Sequence, residues 1–400
     1  MPTIDLADLD VTSPDFFGRP DYYDVLRRLR ADAPVCPAGP GTWTVARYED
    51  IRAISRDPAR FTSTRGVIIN DPARSPDVDL TTSSVIHMDP PGHSSYRKLV
   101  NGQFTPMAVS RLEEAVRTTV RLVLDSAPAG QEFDTVAHLT GPVPVLVIAN
   151  LLGVADGDVA DFQRWSDAMI EFADAKGQGG QREGAELFAF LDAHIASRYQ
   201  HPGDDLISLL TGVAYAGQSL DRQQILMFCL TLLVAGNETT RHLLSGGMLA
   251  LAEHPDQRQR LIEDPSLIAQ AGEEMLRWVT PIQAMGRTAN DDVEIGGQRI
   301  PAGDYLVMLY ASANRDETVF GPNADRFDSS RRVSPTHVAF GFGEHLCLGA
   351  SLARLEVRIF FEELLARHPS YEVTTEPVWT RSTLVHGPRS MSIVLSTVDR

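Results

Sequence analysis

FGFGEHLCLG, the stretch from Phe340 to Gly349, sets a single cysteine among three glycines directly before a helical pattern that begins at Ala350. A cysteine thiolate is a strong soft ligand for iron, and the N-terminus of a following helix lowers the pKa of such a thiol. Glycines let the backbone approach a flat macrocycle and let amide N–H groups point at the sulfur. A buried structural thiol is the alternative for a lone cysteine, but it does not explain the glycines. The segment therefore predicts that Cys347 ligates a metal.

The spacing Phe340-Gly341-x-Gly343-x-His345-x-Cys347-x-Gly349 resembles the haem-binding signature of the cytochrome P450 superfamily. The resemblance extends over essentially the whole chain through the further motifs described below. It implies haem b (iron protoporphyrin IX) as cofactor, with Cys347 as its proximal thiolate ligand, His345 bonded to a haem propionate and Phe340 packed under the ring near the sulfur. It also implies a cytochrome P450 fold, mainly α with a minor β region, as a single large domain over residues 1–400.

A second motif, DPPGHSSYR from Asp89 to Arg97, sets His93 and Arg97 four residues apart after a Pro-Pro helix start. Both side chains therefore share one helix face. Two cationic or hydrogen-bonding groups at this spacing suit a carboxylate, although a solvated polar face is the alternative. The pattern resembles the family's H-x-x-x-R motif, which implies that His93 and Arg97 bind haem propionates. Arg287, just after Ala284-Met285-Gly286, matches the family's third propionate arginine.

A third motif, Glu274-Met275-Leu276-Arg277, sets an acid and a base three residues apart on one helix face. Alone, such a pair is an ordinary surface ion pair worth a few tenths of a kcal/mol. Upstream of the cysteine loop, it resembles the family's structural E-x-x-R, which clasps the chain before the haem loop. We expect its partner to be an arginine in the segment 325–332, and Arg326 is the predicted one.

A fourth motif, Ala235-Gly236-Asn237-Glu238-Thr239-Thr240, lies within a long apolar helical pattern from Leu220 to Glu253. Polar residues buried in such a helix cost free energy of folding unless they form hydrogen bonds or serve a function. The Thr239 hydroxyl can bond back to the carbonyl of Ala235, which distorts a helix, and a local bulge admits water. The segment resembles the family's oxygen-activation motif. The resemblance implies Glu238 as the catalytic acid, Thr239 as the catalytic alcohol, and Ala235 and Gly236 over the haem; a satisfied polar kink is the alternative.

Composition narrows the class of protein further. The 400 residues carry a formal net charge of −17, which disfavours a general nucleic-acid binder. The acidic N-terminus has no apolar signal-peptide core, and the longest apolar stretch, Ile225 to Ala235, is too short for a membrane span. We therefore expect a cytoplasmic protein with no membrane span. A monomer is the expected oligomeric state. Cys36 and Cys229 are predicted to be structural thiols.

Helical periodicity dominates the chain up to Val279, and short β-branched runs with Gly-Gly and Ala-Gly turns follow. The predicted hairpin region extends from Val293 to Tyr310. The predicted helices are 21–30, 107–124, 140–152, 159–172, 181–199, 220–253, 255–263, 266–279 and 350–366.

The resemblance implies a monooxygenase that activates O2 and inserts one oxygen into a C–H bond. Two electrons must come from outside, because no dinucleotide fingerprint or fused reductase is visible. The family suggests a ferredoxin or flavodoxin, with a separate NAD(P)H-dependent reductase, that docks on the cysteine side. The predicted basic docking patch comprises Arg97, Lys98, Arg354 and Arg358.

Substrate preference is predicted from the side chains that the family places around the pocket: Ile86, Val234, Ala235, Ile282 and Met285. They are apolar, although apolar residues are also simply core. We therefore expect a lipophilic small molecule such as a steroid, a terpenoid or a branched fatty chain. Two alternatives stay open: oxidative tailoring of a polyketide or other secondary metabolite, and a haem-thiolate protein that binds ligands or uses peroxide.

Overall fold

The computed structural model describes residues 9–75, 77–81, 84–174, 181–215, 217–332 and 336–396. The α-helices in these ranges are α1 Pro14–Phe17, α2 Tyr22–Asp32, α3 Tyr48–Ser55, α4 Gly92–Val100, α5 Pro106–Ser110, α6 Glu113–Asp125, α7 Pro142–Leu152, α8 Val159–Asp174, α9 Gln181–Gln200, α10 Leu206–Gly212, α11 Arg222–Glu253, α12 Pro255–Glu263, α13 Ile268–Val279, α14 Tyr310–Ala313, α15 Glu317–Phe320 and α16 Ala350–Arg367. The predicted mainly α class is confirmed.

The strands are short and form small sheets. They are β1 Val35–Pro37, β2 Thr42–Val45, β3 Phe61–Thr62, β4 Glu132–Asp134, β5 Ala214–Tyr215, β6 Gln218–Ser219, β7 Ala284–Ala289, β8 Val293–Ile295, β9 Gln298–Ile300, β10 Tyr305–Leu309, β11 Tyr371–Val373, β12 Val378–Trp379, β13 Pro388–Ser390 and β14 Ser392–Leu395. The largest sheet has the order β1-β2-β10-β7-β3, in which only the β2–β10 pair is parallel. Only β8 and β9 of the predicted hairpin region pair with each other, whereas β10 joins this sheet.

One predicted helix is wrong. The pattern from 107 to 124 is two helices, α5 and α6, because the chain tightens between them. The amide of Arg111 donates to the carbonyl of Ala108, and that of Leu112 donates to Val109. Such i to i−3 bonds end an α-helix. The break turns α6 onto α16, the helix that follows the cysteine loop.

The long helix α11 lies between the two largest hydrophobic clusters. Its start is fixed by a capping box, in which Asp221 accepts the amide of Gln224 and the Gln224 side chain accepts the amide of Asp221. Its first half packs with α4, α7, α9 and α10, and its second half packs with α6, α13 and α16. The helix thereby spans the interior and carries its polar segment between the two clusters. Within the described ranges, no helix has the length and hydropathy needed to cross a membrane.

The E-x-x-R pair is completely buried and fastens the chain before the cysteine loop. Arg277 bonds the Glu274 carboxylate through Nε and Nη2, both at 2.7 Å. Its remaining N–H groups donate to the backbone carbonyls of Asn314, Ala324 and Arg326, so that all five have acceptors.

The prediction that Arg326 is the arginine partner of the Glu274–Arg277 pair is wrong. Arg331, not Arg326, completes it, because Nε of Arg331 lies 3.2 Å from Oε2 of Glu274. Arg326 contributes only its carbonyl to Arg277, and its side chain is exposed.

Candidate active site

The cysteine loop is shaped by glycines at positions where other residues are strained or excluded. Gly341 and Gly343 both have φ +71°, in the left-handed region. A Cβ on Gly343 would lie 2.2 Å from the carbonyl oxygen of Ser55, so the loop can approach α3 this closely only with glycine there. The amide of Cys347 donates to the carbonyl of Phe340 at 2.9 Å and closes the loop.

The Cys347 sulfur receives a hydrogen bond from the amide of Gly349, as the sequence predicts. The residue is exposed by surface area, yet enough protein surrounds it that desolvation raises the pKa of its thiol above the usual value. The Gly349 bond and the charges of Arg97 and Arg354 act in the opposite direction but do not outweigh burial. The helix that follows the loop was expected to lower the pKa of the Cys347 thiol, but this pKa is raised instead. Cys347 faces a recess rather than the outer surface.

Four basic side chains gather beside this loop. The rings of His93 on α4 and His345 in the loop have centroids 4.2 Å apart. Arg97, one turn after His93, donates to the carbonyl of Leu346 at 3.0 Å. Arg287 is buried on β7, and its charge contributes to lowering the pKa of both histidines. The structure thus brings the four predicted propionate partners into one cluster.

The electrostatics of this cluster favour an anion. Burial, with the charges of Arg287, His93 and Arg97, lowers the pKa of His345 to about 2. Burial and then the charge of Arg97 lower the pKa of His93 to about 4. Both ring nitrogens of His93 are buried without a hydrogen-bond partner among the described residues, although Nδ1 lies 3.9 Å from the Glu344 carboxylate. A ligand with several carboxylate oxygens would satisfy these groups, so the residues fit the two propionates of haem.

The polar segment of α11 contains an open position. Ala235 is exposed, while the neighbouring positions along the helix are buried or half-buried. The Thr239 hydroxyl donates to the carbonyl of Ala235 at 2.6 Å, as predicted. The expected bulge is absent, because the helix continues from Arg222 to Glu253. A carbonyl oxygen has two lone pairs, so the hydroxyl adds to the backbone bond without displacing it.

Glu238 is paired within its own helix. Its Oε1 lies 2.9 Å from Nη2 of Arg241, and both side chains are largely buried. Gly236 faces α7, where a Cβ would come within 2.9 Å of Cδ1 of Ile148. Arg241 was not among the predicted site residues, although its i, i+3 spacing from Glu238 was the available signal.

The predicted pocket residues lie on three elements. Val234 and Ala235 are on α11, Ile282 and Met285 lie before and within β7, and Ile86 lies in a short 3-10 helix, 85–87. None of the five is fully buried, although Ile282 and Met285 pack against one of the hydrophobic clusters. Ile282 also forms an isolated β-bridge with Val385, which links this region to the C-terminal segment.

Comparisons with known proteins show the family of this chain. The family described as Cytochrome P450 matches residues 185–385. The chain is 33% identical to linalool 8-monooxygenase of Pseudomonas putida, over 96% of this chain and 98% of that protein. It is 34% identical to methyl-branched lipid omega-hydroxylase of Mycobacterium tuberculosis, over 99% of this chain and 96% of that one. A solved structure, cytochrome P450 PksS of the Bacillus subtilis 168 bacillaene polyketide synthase, superposes with a TM-score of 0.87 at 31% identity, covering 97% of this chain and 99% of PksS.

The chain belongs to the cytochrome P450 family. It is a cytochrome P450 monooxygenase, with the haem-thiolate cofactor of that family.

Proposed function

We propose that this monooxygenase contains haem b and hydroxylates a lipophilic small molecule, of steroid, terpenoid or branched fatty-chain type, with O2 and two externally supplied electrons. The observation that carries the proposal is the apolar character of the predicted pocket side chains, with Val234 and Ala235 beside the Thr239 hydroxyl on α11. The names of the linalool and methyl-branched lipid relatives support the same substrate class.

We assign haem binding to the cysteine loop and to the four basic side chains beside it. Cys347 would ligate the iron, with Phe340, Gly341 and Gly349 beneath the ring, and the His93, Arg97, Arg287 and His345 cluster would bind the propionates. When bound, haem supplies reductive O2 activation and oxygen insertion into a C–H bond. The chain holds the group in place: the Gly349 amide bonds to the sulfur and restrains its position and charge.

Thr239 and Glu238 are assigned to proton delivery. The Thr239 hydroxyl is fixed by its bond to the carbonyl of Ala235 and keeps lone pairs available toward the open side of the helix. Glu238, one residue before, is oriented by the guanidinium of Arg241 at 2.9 Å. Together these groups can hold a proton near the substrate and transfer it through water.

Electrons are proposed to come from a ferredoxin or flavodoxin, with a separate NAD(P)H-dependent reductase, docking on the cysteine side. Two members of the predicted basic patch are already paired with acids of this chain. Arg354 bonds Glu273 at 2.6 Å, and Arg358 bonds Glu113 at 2.8 Å. Such pairs neutralise much of the charge of these two arginines, which weakens their contribution to docking.

The substrate class is tested by spin-shift titrations of the haem-loaded protein. Steroids, terpenoids and branched fatty acids are expected to shift the spin state at micromolar concentrations, because burial of apolar area contributes about 25 cal/mol per Å². Ala235→Phe should abolish these shifts by filling the substrate volume while leaving the spectrum of the reduced, CO-bound protein intact. Ala235→Gly, which keeps the space open, is the matched control and should retain the shifts.

Oxidative tailoring of a secondary metabolite is the second candidate, and the similarity to PksS favours it. If a polyketide or glycoside shifts the spin state while no compound of a broad lipophilic panel does, the lipid proposal is wrong and tailoring replaces it.

The role of Thr239 is tested by Thr239→Ala. This variant should bind haem and consume reductant, yet its yield of product per electron should fall, by up to about 100-fold, with more hydrogen peroxide released. Thr231→Ala is the matched control, because the Thr231 hydroxyl donates to the carbonyl of Met227 at 2.8 Å in the same way. Equal yields in the two variants would show that the Thr239 hydroxyl serves only in its hydrogen bond within the helix.

A further inference from the structure

Glu273 immediately precedes Glu274 on α13 but has different partners. It receives two parallel bonds from Arg354 on α16, Nε to Oε1 at 2.6 Å and Nη2 to Oε2 at 3.1 Å. Its Oε2 also lies 3.4 Å from Nε2 of His337. Burial opposes ionisation, but the contacts with His337 and Arg354 outweigh it and lower the pKa of Glu273 to about 2. A charged carboxylate therefore joins two helices to the segment before the cysteine loop.

Both partners of Glu273 contact the ring of Phe340. The guanidinium carbon of Arg354 lies 4.7 Å from the ring centroid, and the His337 ring centroid lies 5.8 Å from it. Nδ1 of the buried His337 accepts the amide of Ala339 at 3.2 Å, which leaves the proton of a neutral ring on Nε2, the nitrogen nearest to Glu273. The Phe340 ring is thus held by two groups that one carboxylate anchors.

Phe340 is in turn bonded to the cysteine. Its carbonyl accepts the amide of Cys347 at 2.9 Å, across the loop. A displacement of Phe340 therefore moves the backbone that carries the Cys347 sulfur. Glu274, the next residue along α13, fastens a different segment through Arg277, so that consecutive acids restrain two parts of the same region.

We propose that Glu273, His337 and Arg354 form a positioning cluster that holds Phe340, and through it Cys347, in the geometry required for thiolate ligation. This inference rests on the proposed function, in which Cys347 ligates haem. It makes Arg354 a positioning residue whose planar guanidinium matters, rather than a docking residue that supplies only charge. Lysine carries the same charge but can form neither the paired bonds nor the planar contact with the ring.

The test follows the CO-bound spectrum of the reduced, haem-loaded protein in mild urea, as the thiolate-type signal converts to the thiol type. Arg354→Met and Arg354→Lys are each expected to convert on the order of tenfold faster than the wild type, the effect of losing one paired ion contact and one cation–π contact. Glu273→Gln should also convert faster than the wild type, by a smaller factor, because it loses the ion contact alone. Arg358→Met is the matched control, because Arg358 lies one turn further along α16 and is paired with Glu113 and Glu362. Its conversion rate should equal that of the wild type.

A double-mutant cycle checks that the effect passes through the ring of Phe340. In a Phe340→Leu background, Arg354→Met should accelerate conversion less than it does in the wild type, because the two residues act as a unit. Wild-type behaviour of Arg354→Lys, or equal rates for Arg354→Met and Arg358→Met, would overturn the inference. A wild type without any thiolate-type signal would instead overturn the proposed function, and this inference with it.

Discussion

Cys347→Ala is expected to abolish the thiolate-type spectrum of the reduced, CO-bound protein, and turnover with it. Cys347 is the cysteine whose sulfur accepts the Gly349 amide in the glycine-shaped loop, beside the cluster that fits the haem propionates. Alanine offers no lone pair to the iron, so any haem retained must take another ligand or none. The spectrum after dithionite reduction and CO addition measures the change directly.

The other two cysteines provide matched controls. Cys36 lies on β1 with its sulfur 3.0 Å from the Thr44 hydroxyl, and burial raises the pKa of its thiol. Cys229 is buried in α11, where desolvation raises the pKa of its thiol to about 12. Cys36→Ala and Cys229→Ala should both keep the thiolate-type spectrum. Loss of that spectrum in Cys36→Ala, with its retention in Cys347→Ala, would refute the assignment of the ligand.

The second large effect is expected for Arg277→Met. The substitution removes five hydrogen-bond donors from a fully buried site and leaves the Glu274 carboxylate and three backbone carbonyls short of partners. Breaking a buried ion pair costs about 3–5 kcal/mol, a large part of the stability of a typical domain. Urea unfolding followed by circular dichroism should therefore show a much lower midpoint, accompanied by lower haem content.

Arg326→Ala is the control for this prediction and tests whether Arg331, rather than Arg326, is the partner of Glu274. The Arg326 side chain is exposed, and only its carbonyl serves Arg277, so the free energy of unfolding should stay within about 0.5 kcal/mol of the wild type. Arg331→Ala should be intermediate, because Arg331 contacts Glu274 at 3.2 Å but Arg277 remains. An Arg326 variant less stable than the Arg331 variant would contradict the structure.

Helix ends were predicted well from the sequence where a proline or a glycine marks them. α12 begins at Pro255, as predicted, and α16 begins at Ala350 directly after Gly349. A proline at the first helical position and a glycine before it are local features that need no knowledge of the fold. The parallel β2–β10 pair could not be predicted, because its four-residue strand has little local signal and its partner lies about 260 residues away.

Site residues could be predicted from the sequence where they belong to a motif of fixed spacing. His93 and Arg97 share a helix face, so the pattern predicts that both side chains lie beside the loop that contains His345. The choice between Arg326 and Arg331 did not follow, because the direction of each side chain depends on how the segment around them turns. Glu273 was missed for a related reason: its partners come from α16 and from the segment before the loop.

The pairing of β2 with β10 sets a minimum time before the largest sheet can form during synthesis of the chain. The strand Thr42–Val45 emerges early, but its neighbour Tyr305–Leu309 is about 260 residues behind it. At about 5–20 residues per second, translation needs more than about ten seconds to supply that neighbour. During this interval β2 lacks its parallel neighbour, so the strand edge that β10 covers in the folded protein is unpaired and can bind a strand of another chain. An expression host that translates the middle of the message slowly lengthens this interval, and with it the opportunity for aggregation on the ribosome.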